Sequence, residues 1–199
     1  MLKQFFTEDK IEAGLDEVGR GCLAGPVVAA CVVLPKDFKS KILNDSKKMN
    51  ASQRVQVELE IKENALAYAV AEVSHHKIDE INILNASFLA MHRSLDQLDI
   101  EPELLLVDGN RFKVYKEIPH HCIIKGDGEY MSIAAASVLA KNYRDKLMAD
   151  LAVSFPEYGW ETNVGYPTKK HRQAIKEFGV TPHHRKSFNL LPTQIEIFK

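Results

Sequence analysis

IEAGLDEVGRGCLAGPVVAACVV, residues 11–33, decides how the chain is read. Two adjacent acids, Asp16 and Glu17, interrupt an apolar run, and Gly19, Arg20 and Gly21 follow at once. That order describes a strand that ends in a site. Glycines on either side of an arginine let the backbone approach a ligand without Cβ obstruction, and the guanidinium adds a planar fork suited to phosphate. Taken alone, an acid pair before a glycine turn is usually just the solvated end of a strand. Further acids tip the balance. LLLVDGN, residues 104–110, is an apolar run ending in Asp108, and HCIIKGDGE, residues 121–129, repeats the pattern with Asp127. Three strand ends that each deliver a carboxylate exceed what solvation explains.

Outward from this stretch, residues 26–34 are rich in β-branched side chains and should pair with the first strand as a hairpin. Asn50 or Ser52 can cap a helix running to about Asn64, and residues 67–74 alternate as a third strand. Ile78, Ile81, Leu84, Phe88, Met91, Leu95 and Leu98 recur at spacings of three and four, which predicts one helix with this stripe in the core. The strands ending at Asp108 and near Lys125 come next. An Ala-rich helix over 132–153 follows, its amino end just after Asp127, where the helix dipole favours anions. Pro156, Gly159, Gly165 and Pro167 make 154–168 a loop, and Thr168 caps a last helix ending at Gly179.

A chain of 199 residues is long enough for one compact domain, with about 154–199 as a loop and helical extension. No apolar run approaches the ~20 residues that cross a bilayer, and MLKQFFTEDK turns acidic too soon for a secretory signal, so a cytoplasmic protein is expected. Cys22, Cys31 and Cys122 are widely spaced and read as free thiols. Net charge is −1, yet Lys169, Lys170, Arg172, Lys176, Arg185 and Lys186 face only Glu177 between Val164 and Phe188, a local basic surface. The histidine pairs 75/76, 120/121 and 183/184 are not read as metal ligands, because adjacent side chains diverge.

Asp16, Glu17, Asp108 and Asp127 are hard oxygen donors without histidine or cysteine company, which selects Mg²⁺ or Mn²⁺ over zinc. Two such ions ~4 Å apart stabilise the attacking and leaving oxygens of an in-line displacement, so phosphodiester hydrolysis is the reaction class inferred. Neighbours on a regular strand face opposite ways, so Asp16 and Glu17 can share a site only if the strand distorts near Gly19.

DEVGRGCLAGPVVAA, NDSKKM, VDGN, KGDGEYMSIAAASVLAK, VGYPTKKH and PHHRKSF occur in this order over residues 14–188 and together resemble the ribonuclease HII (type 2 ribonuclease H) family. The resemblance implies an α/β ribonuclease H-like fold, a five-stranded mixed sheet flanked by helices with a helical C-terminal extension. It implies hydrolysis of the RNA strand of RNA/DNA hybrids and nicking 5′ of single ribonucleotides in duplex DNA, leaving 3′-hydroxyl and 5′-phosphate ends. The family's catalytic, metal-holding acids fall on Asp16, Glu17, Asp108 and Asp127. Its glycine-arginine-glycine motif falls on Gly19, Arg20 and Gly21, which would hold the ribonucleotide 2′-OH, the group that separates RNA from DNA. Tyr166 matches a tyrosine that stacks on the sugar of the following deoxynucleotide. Ser46, Lys47 and Lys48 match a segment gripping the DNA backbone. Ser132 and Lys141 lie in the helix lining the substrate groove, and His184, Arg185 and Ser187 match a supporting motif.

The family commonly has lysine where Val164 stands, so Val164→Lys is expected to tighten binding or raise activity modestly, read in rate and salt dependence. Three other readings compete: a ribonuclease HIII-like hybrid nuclease, a catalytically silent nucleic-acid module, and a DNA nuclease or resolvase of the same fold. A monomer is expected. Gln194, Ile197 and Phe198 in the tail TQIEIFK, residues 193–199, faintly resemble a replication-clamp-binding peptide, with a terminus packed on the body as the alternative.

Overall fold

The computed structural model describes residues 2–191, apart from the side chain of Lys47. The clamp-binding expectation for 193–199 therefore lies outside the described residues. The first two strands, β1 (Glu12–Val18) and β2 (Val27–Val33), pair antiparallel as expected. Two more, β3 (Ala67–Val73) and β4 (Leu104–Asp108), flank them, and β5 (His120–Ile123) closes a sheet of order β3-β2-β1-β4-β5. The β1–β2 and β2–β3 ladders are antiparallel, and β1–β4 and β4–β5 are parallel.

β2 reads VVAACVV without a polar residue because both of its faces are covered. Its odd-numbered residues, with Ala13 and Leu15 of β1, pack on Ala86, Ala90, Met91 and Leu95 of α3 (Ile83–Leu95). Its even-numbered residues pack on Val57 and Ile61 of α1 (Ala51–Asn64) and on α4 (Met131–Ser154). Each fully buried aliphatic side chain contributes about 1.5–3 kcal/mol, so this three-layer contact dominates stability.

Local signals set the helix ends. Asn50 caps α1 in a reciprocal box with Gln53, and the Thr168 hydroxyl accepts from the His171 N–H to start α6 (Lys169–Phe178). The helix expected from Ile78 onward is instead two, α2 (His75–Ile81) and α3. Asn82 breaks it at φ 66°, while its side chain accepts the Asn85 N–H and caps α3. The expected loop 154–168 also carries structure, a 3₁₀ turn at Pro156–Tyr158 and the single helical turn α5 (Trp160–Asn163). There the buried Trp160 anchors a small core with Leu23, Met148 and Ile175. Among the described residues, no helix is long and apolar enough to cross a membrane.

Candidate active site

Gly14 sets the site's geometry by letting α4 cross β1 closely. A Cβ there would stand 2.2 Å from the Ser132 carbonyl carbon. The crossing brings Ser137 of α4 to Asp16, which is 6% exposed. The Asp16 Oδ1 accepts the Glu17 N–H at 2.7 Å, Ser137 hydrogen-bonds the same carboxyl, and the Ser137 and Ser46 hydroxyls lie 2.9 Å apart. Burial, then the charges of Glu17 and Asp108, hold the Asp16 carboxyl well above the usual range; Ser137 opposes this and Asp127 adds to it. The other three acids therefore all act on Asp16.

β1 pairs regularly with β2 as far as Val18, so the distortion expected near Gly19 does not reach the acids. Asp16 faces α4, and Glu17 turns to the α3 side. There Glu17 and Asp108 line a cleft of about 250 Å³ with Arg20, Arg111, Leu84 and Phe88. Leu84 and Phe88, expected in the core stripe, wall this cleft instead. The Asp108 Oδ1 accepts the Gly126 N–H at 2.7 Å, which ties the end of β4 to the 3₁₀ turn Gly126–Gly128. Asp127 sits in that turn, 4% exposed, rather than at the end of β5 as expected. Among the described residues no three His, Cys, Asp or Glu side chains are arranged to hold a metal ion as they stand. The all-oxygen donor set and the mutual repulsion raising Asp16 nonetheless fit a hard divalent cation, which relieves such repulsion.

The loop after β1 rests on two buried arginines. Gly19 has φ 93°, and a Cβ on it would meet the Arg144 Nε at 2.2 Å. Arg144, wholly buried, donates to the carbonyls of Pro26, Val164 and Ala24 at 3.0, 2.7 and 3.0 Å. Arg185, also wholly buried, donates to those of Gly25, Arg20 and Pro26 at 2.9, 3.0 and 3.0 Å. Burial pulls the Arg185 pKa down to about 10. The clamp leaves Arg20 exposed at the surface, its Nη1 3.1 Å from the Glu17 Oε1. Leu23 N–H donates to the Gly165 carbonyl at 2.7 Å, which lays the 164–166 segment against this loop. The half-exposed Tyr166 ring thereby comes to Gly21, 3.8 Å from where a Cβ would stand.

A second buried relay fixes the Tyr166 backbone. The Thr181 N–H donates to the His184 Nδ1 at 2.9 Å, so this nitrogen carries no proton and the Nε2 of the neutral ring does. That Nε2 faces the His171 Nε2 at 3.2 Å, which also receives the Trp160 indole N–H at 3.0 Å. The protonated His171 Nδ1 then donates to the Tyr166 carbonyl at 2.9 Å.

Several residues assigned to substrate contact lie inside. Ser46 (3% exposed), Ser132 (4%), His184 (0%) and Arg185 (0%) are buried, and Arg185 and His184 spend their polar atoms on the backbone clamp and the histidine relay. Ser187 is exposed, but its hydroxyl and N–H are held by Asp79 of α2 at 2.5 and 2.9 Å. Lys48 is exposed and lies 3.9 Å from Asp45, Lys141 pairs with Asp145 at 2.7 Å, and the Lys47 side chain lies outside the described residues. Sequence reasoning missed Arg144, Ser137, Arg111 and His171. An arginine within an Ala-rich helix reads as solvent-facing, and nothing in the sequence marks Ser137 apart from its neighbours. His171 had a signal, the third residue of a basic stretch yet on the inward side of α6.

The ribonuclease H2 from Pyrococcus horikoshii OT3 superposes with a TM-score of 0.75 at 25% identity, over 90% of this chain and 94% of that one. Bst-RNase HIII in complex with Mn²⁺ shares the fold at a TM-score of 0.62 and 20% identity, over 85% of this chain and 63% of that one. Sheet order and this likeness thus define the class, a protein with the ribonuclease H fold. The family model for Ribonuclease HII matches residues 13–191. Ribonuclease HII of Phocaeicola vulgatus is 59% identical over 199 residues, 99% of each chain. The chain belongs to the ribonuclease HII family, which sets aside the HIII-like reading.

Proposed function

We propose that this protein hydrolyses the RNA strand of RNA/DNA hybrids and nicks 5′ of single ribonucleotides in duplex DNA, leaving 3′-hydroxyl and 5′-phosphate ends. The observation that carries this reading is the apposition of Gly21 and the Tyr166 ring in the loop that leaves the acid-bearing end of β1. A 2′-OH is recognised by close polar backbone and a deoxyribose by an apolar ring face, so this pairing suits an RNA-to-DNA junction. Asp16, Glu17, Asp108 and Asp127 would hold two divalent ions, Mn²⁺ or Mg²⁺. When bound, such ions supply a nucleophilic water and neutralise phosphate charge. The exposed Arg20 guanidinium offers a fork to the neighbouring phosphate. The Arg144–Arg185 clamp fixes the loop beneath it, and the His171–His184 relay fixes Tyr166. Both act through positioning.

The test is a labelled duplex with one ribonucleotide, incubated with Mg²⁺ or Mn²⁺ beside an all-DNA duplex and an Asp16→Asn variant. A nick only at the ribonucleotide, lost in the variant, is the expected result. Equal cutting of the all-DNA duplex would overturn the junction reading, and binding without cutting would show that the acids serve another purpose.

A further inference from the structure

On the α4 side of the sheet, a groove of about 1030 Å³ runs between the N-terminal segment and residues 39–48. Its wall carries Lys3, Lys39, Lys41 and Lys48, and no carboxylate lines it among the described residues. Lys3 pairs with Glu129 at 2.6 Å and Lys48 lies 3.9 Å from Asp45, whereas neither Lys39 nor Lys41 enters an ion pair among the described residues. Both are exposed. Gly128, immediately after Asp127 in the chain, and Met131, the first residue of α4, complete the wall.

The groove is built rather than accidental. Phe38 and Leu43 are buried in the core beneath it, which anchors the segment carrying both lysines. The Ser40 hydroxyl accepts the Leu43 N–H at 3.1 Å and donates to Glu60 at 2.6 Å, fixing the turn between them. The Gln4 amide donates to the Phe38 carbonyl at 3.0 Å, and the Lys3 backbone pairs with Glu129 and Met131 at 2.8 and 2.9 Å. Both banks are thus tied to the body, and an open trough with fixed walls and cations of one sign is matched by a regular polyanion.

We propose that this groove is a second nucleic-acid contact, in which Lys39 and Lys41 take backbone phosphates of the duplex flank beyond the cut site. The inference rests on the nuclease reading for the identity of the polyanion, and it predicts a surface outside the cleavage machinery.

The test is the salt dependence of binding an all-DNA duplex without metal, followed by fluorescence anisotropy for the full-length protein and a Lys39→Ala/Lys41→Ala variant. Each lost phosphate contact lowers the slope of log K against log salt by roughly 0.9. Between 50 and 200 mM salt the wild type should therefore lose roughly tenfold more affinity than the variant. Lys39→Arg/Lys41→Arg should keep the wild-type slope, as should Lys62→Ala/Lys77→Ala, which removes the same charge from the last turn of α1 and from α2. On the ribonucleotide duplex the alanine variant should raise KM and leave kcat unchanged. An unchanged slope in the Lys39/Lys41 variant, or an equal loss in the Lys62/Lys77 variant, would overturn the groove. A wild type that binds with the expected slope difference but nicks nothing would overturn the nuclease reading and leave the groove standing.

Discussion

The acid end of the sheet and the clamp beneath its loop both crowd like charges inside the protein, and they settle them differently. Arg144 and Arg185 each donate to three backbone carbonyls, so their charge is spread over fixed dipoles supplied by the fold. Asp16 accepts from one backbone N–H and from Ser137, and the charges next to it are carboxylates that oppose its ionisation. The clamp is therefore a finished structural joint. The acid end is a cluster whose repulsion a divalent cation relieves, which is the difference between burying charge for shape and gathering charge for chemistry.

The largest expected effect comes from dismantling the finished half. Arg144→Met strips donors from the Ala24, Pro26 and Val164 carbonyls, and only Pro26 keeps a second guanidinium donor, from Arg185. The variant should lose about 3–5 kcal/mol in urea unfolding, or roughly 10 °C in Tm for a chain of this size. A loss below ~1 kcal/mol would mean that the carbonyls find other partners and that the clamp is incidental.

Asp16→Asn should invert that pattern. Removing the carboxylate relieves repulsion by Glu17, Asp108 and Asp127, so the metal-free variant should melt higher than the wild type at pH 7, by roughly 2–4 °C for each kcal/mol relieved. Nicking should meanwhile fall more than about 100-fold, beyond what loss of an outer-sphere ligand costs. A lower metal-free Tm would show that Asp16 is structural, like the arginines.

Acid separates the two regions again, through the histidine relay behind Tyr166. Burial, with His171 close by, pushes the His184 pKa down from 6.5 to about 4, so the folded protein keeps this ring neutral. Its contribution to stability is whole above pH 6.5 and is lost as pH falls toward 4, because the unfolded chain takes up the proton first. Asp16 works in the opposite sense, since its raised carboxyl costs stability at neutral pH and that cost fades on acidification. Metal-free Tm measured from pH 7 to 4 should fall less steeply in His184→Gln than in the wild type; parallel curves would remove His184 from the account.

Much of this arrangement is legible in the sequence, and the losses have physical causes. β1, β2 and β4 were readable because burial on both faces leaves an apolar run, which in β1 and β4 runs into the acids. The ends of α1 and α6 were readable because Asn50 and Thr168 act within one turn of the chain. Asn82 escaped because the apolar spacing of three and four continues across it, and periodicity does not register a single residue at positive φ. Leu84 and Phe88 escaped for a related reason, since a stripe fixes which way side chains face but not whether the space opposite is core or cleft. The four acids were legible through their positions near strand ends. The burial of Arg144 and Arg185 was not, because, apart from Val164 at 20 residues from Arg144, their partners are carbonyls 118–120 and 159–165 residues away in the chain, and a carbonyl carries no side-chain signature.

The finest test concerns a polar chain that enters the acid end from the protein. Ser46, beside the lysine segment, meets Ser137 at 2.9 Å, and Ser137 hydrogen-bonds Asp16. All three are nearly enclosed, so the chain lies largely out of solvent, where hydrogen bonds polarise one another. Ser137→Ala should free the Asp16 carboxyl to rotate, lowering nicking about 10-fold at limiting metal, with recovery at saturating metal, as for loss of an outer-sphere partner. Ser46→Ala should act in the same direction but less, since it touches Asp16 only through Ser137. If the three form one chain, the double variant should be no worse than Ser137→Ala, because removing the middle link already cuts off the end. Additive losses would instead mean that Ser46 serves the lysine segment and Ser137 serves Asp16 independently. The acid end would then be held, unlike the clamp, by separate contacts.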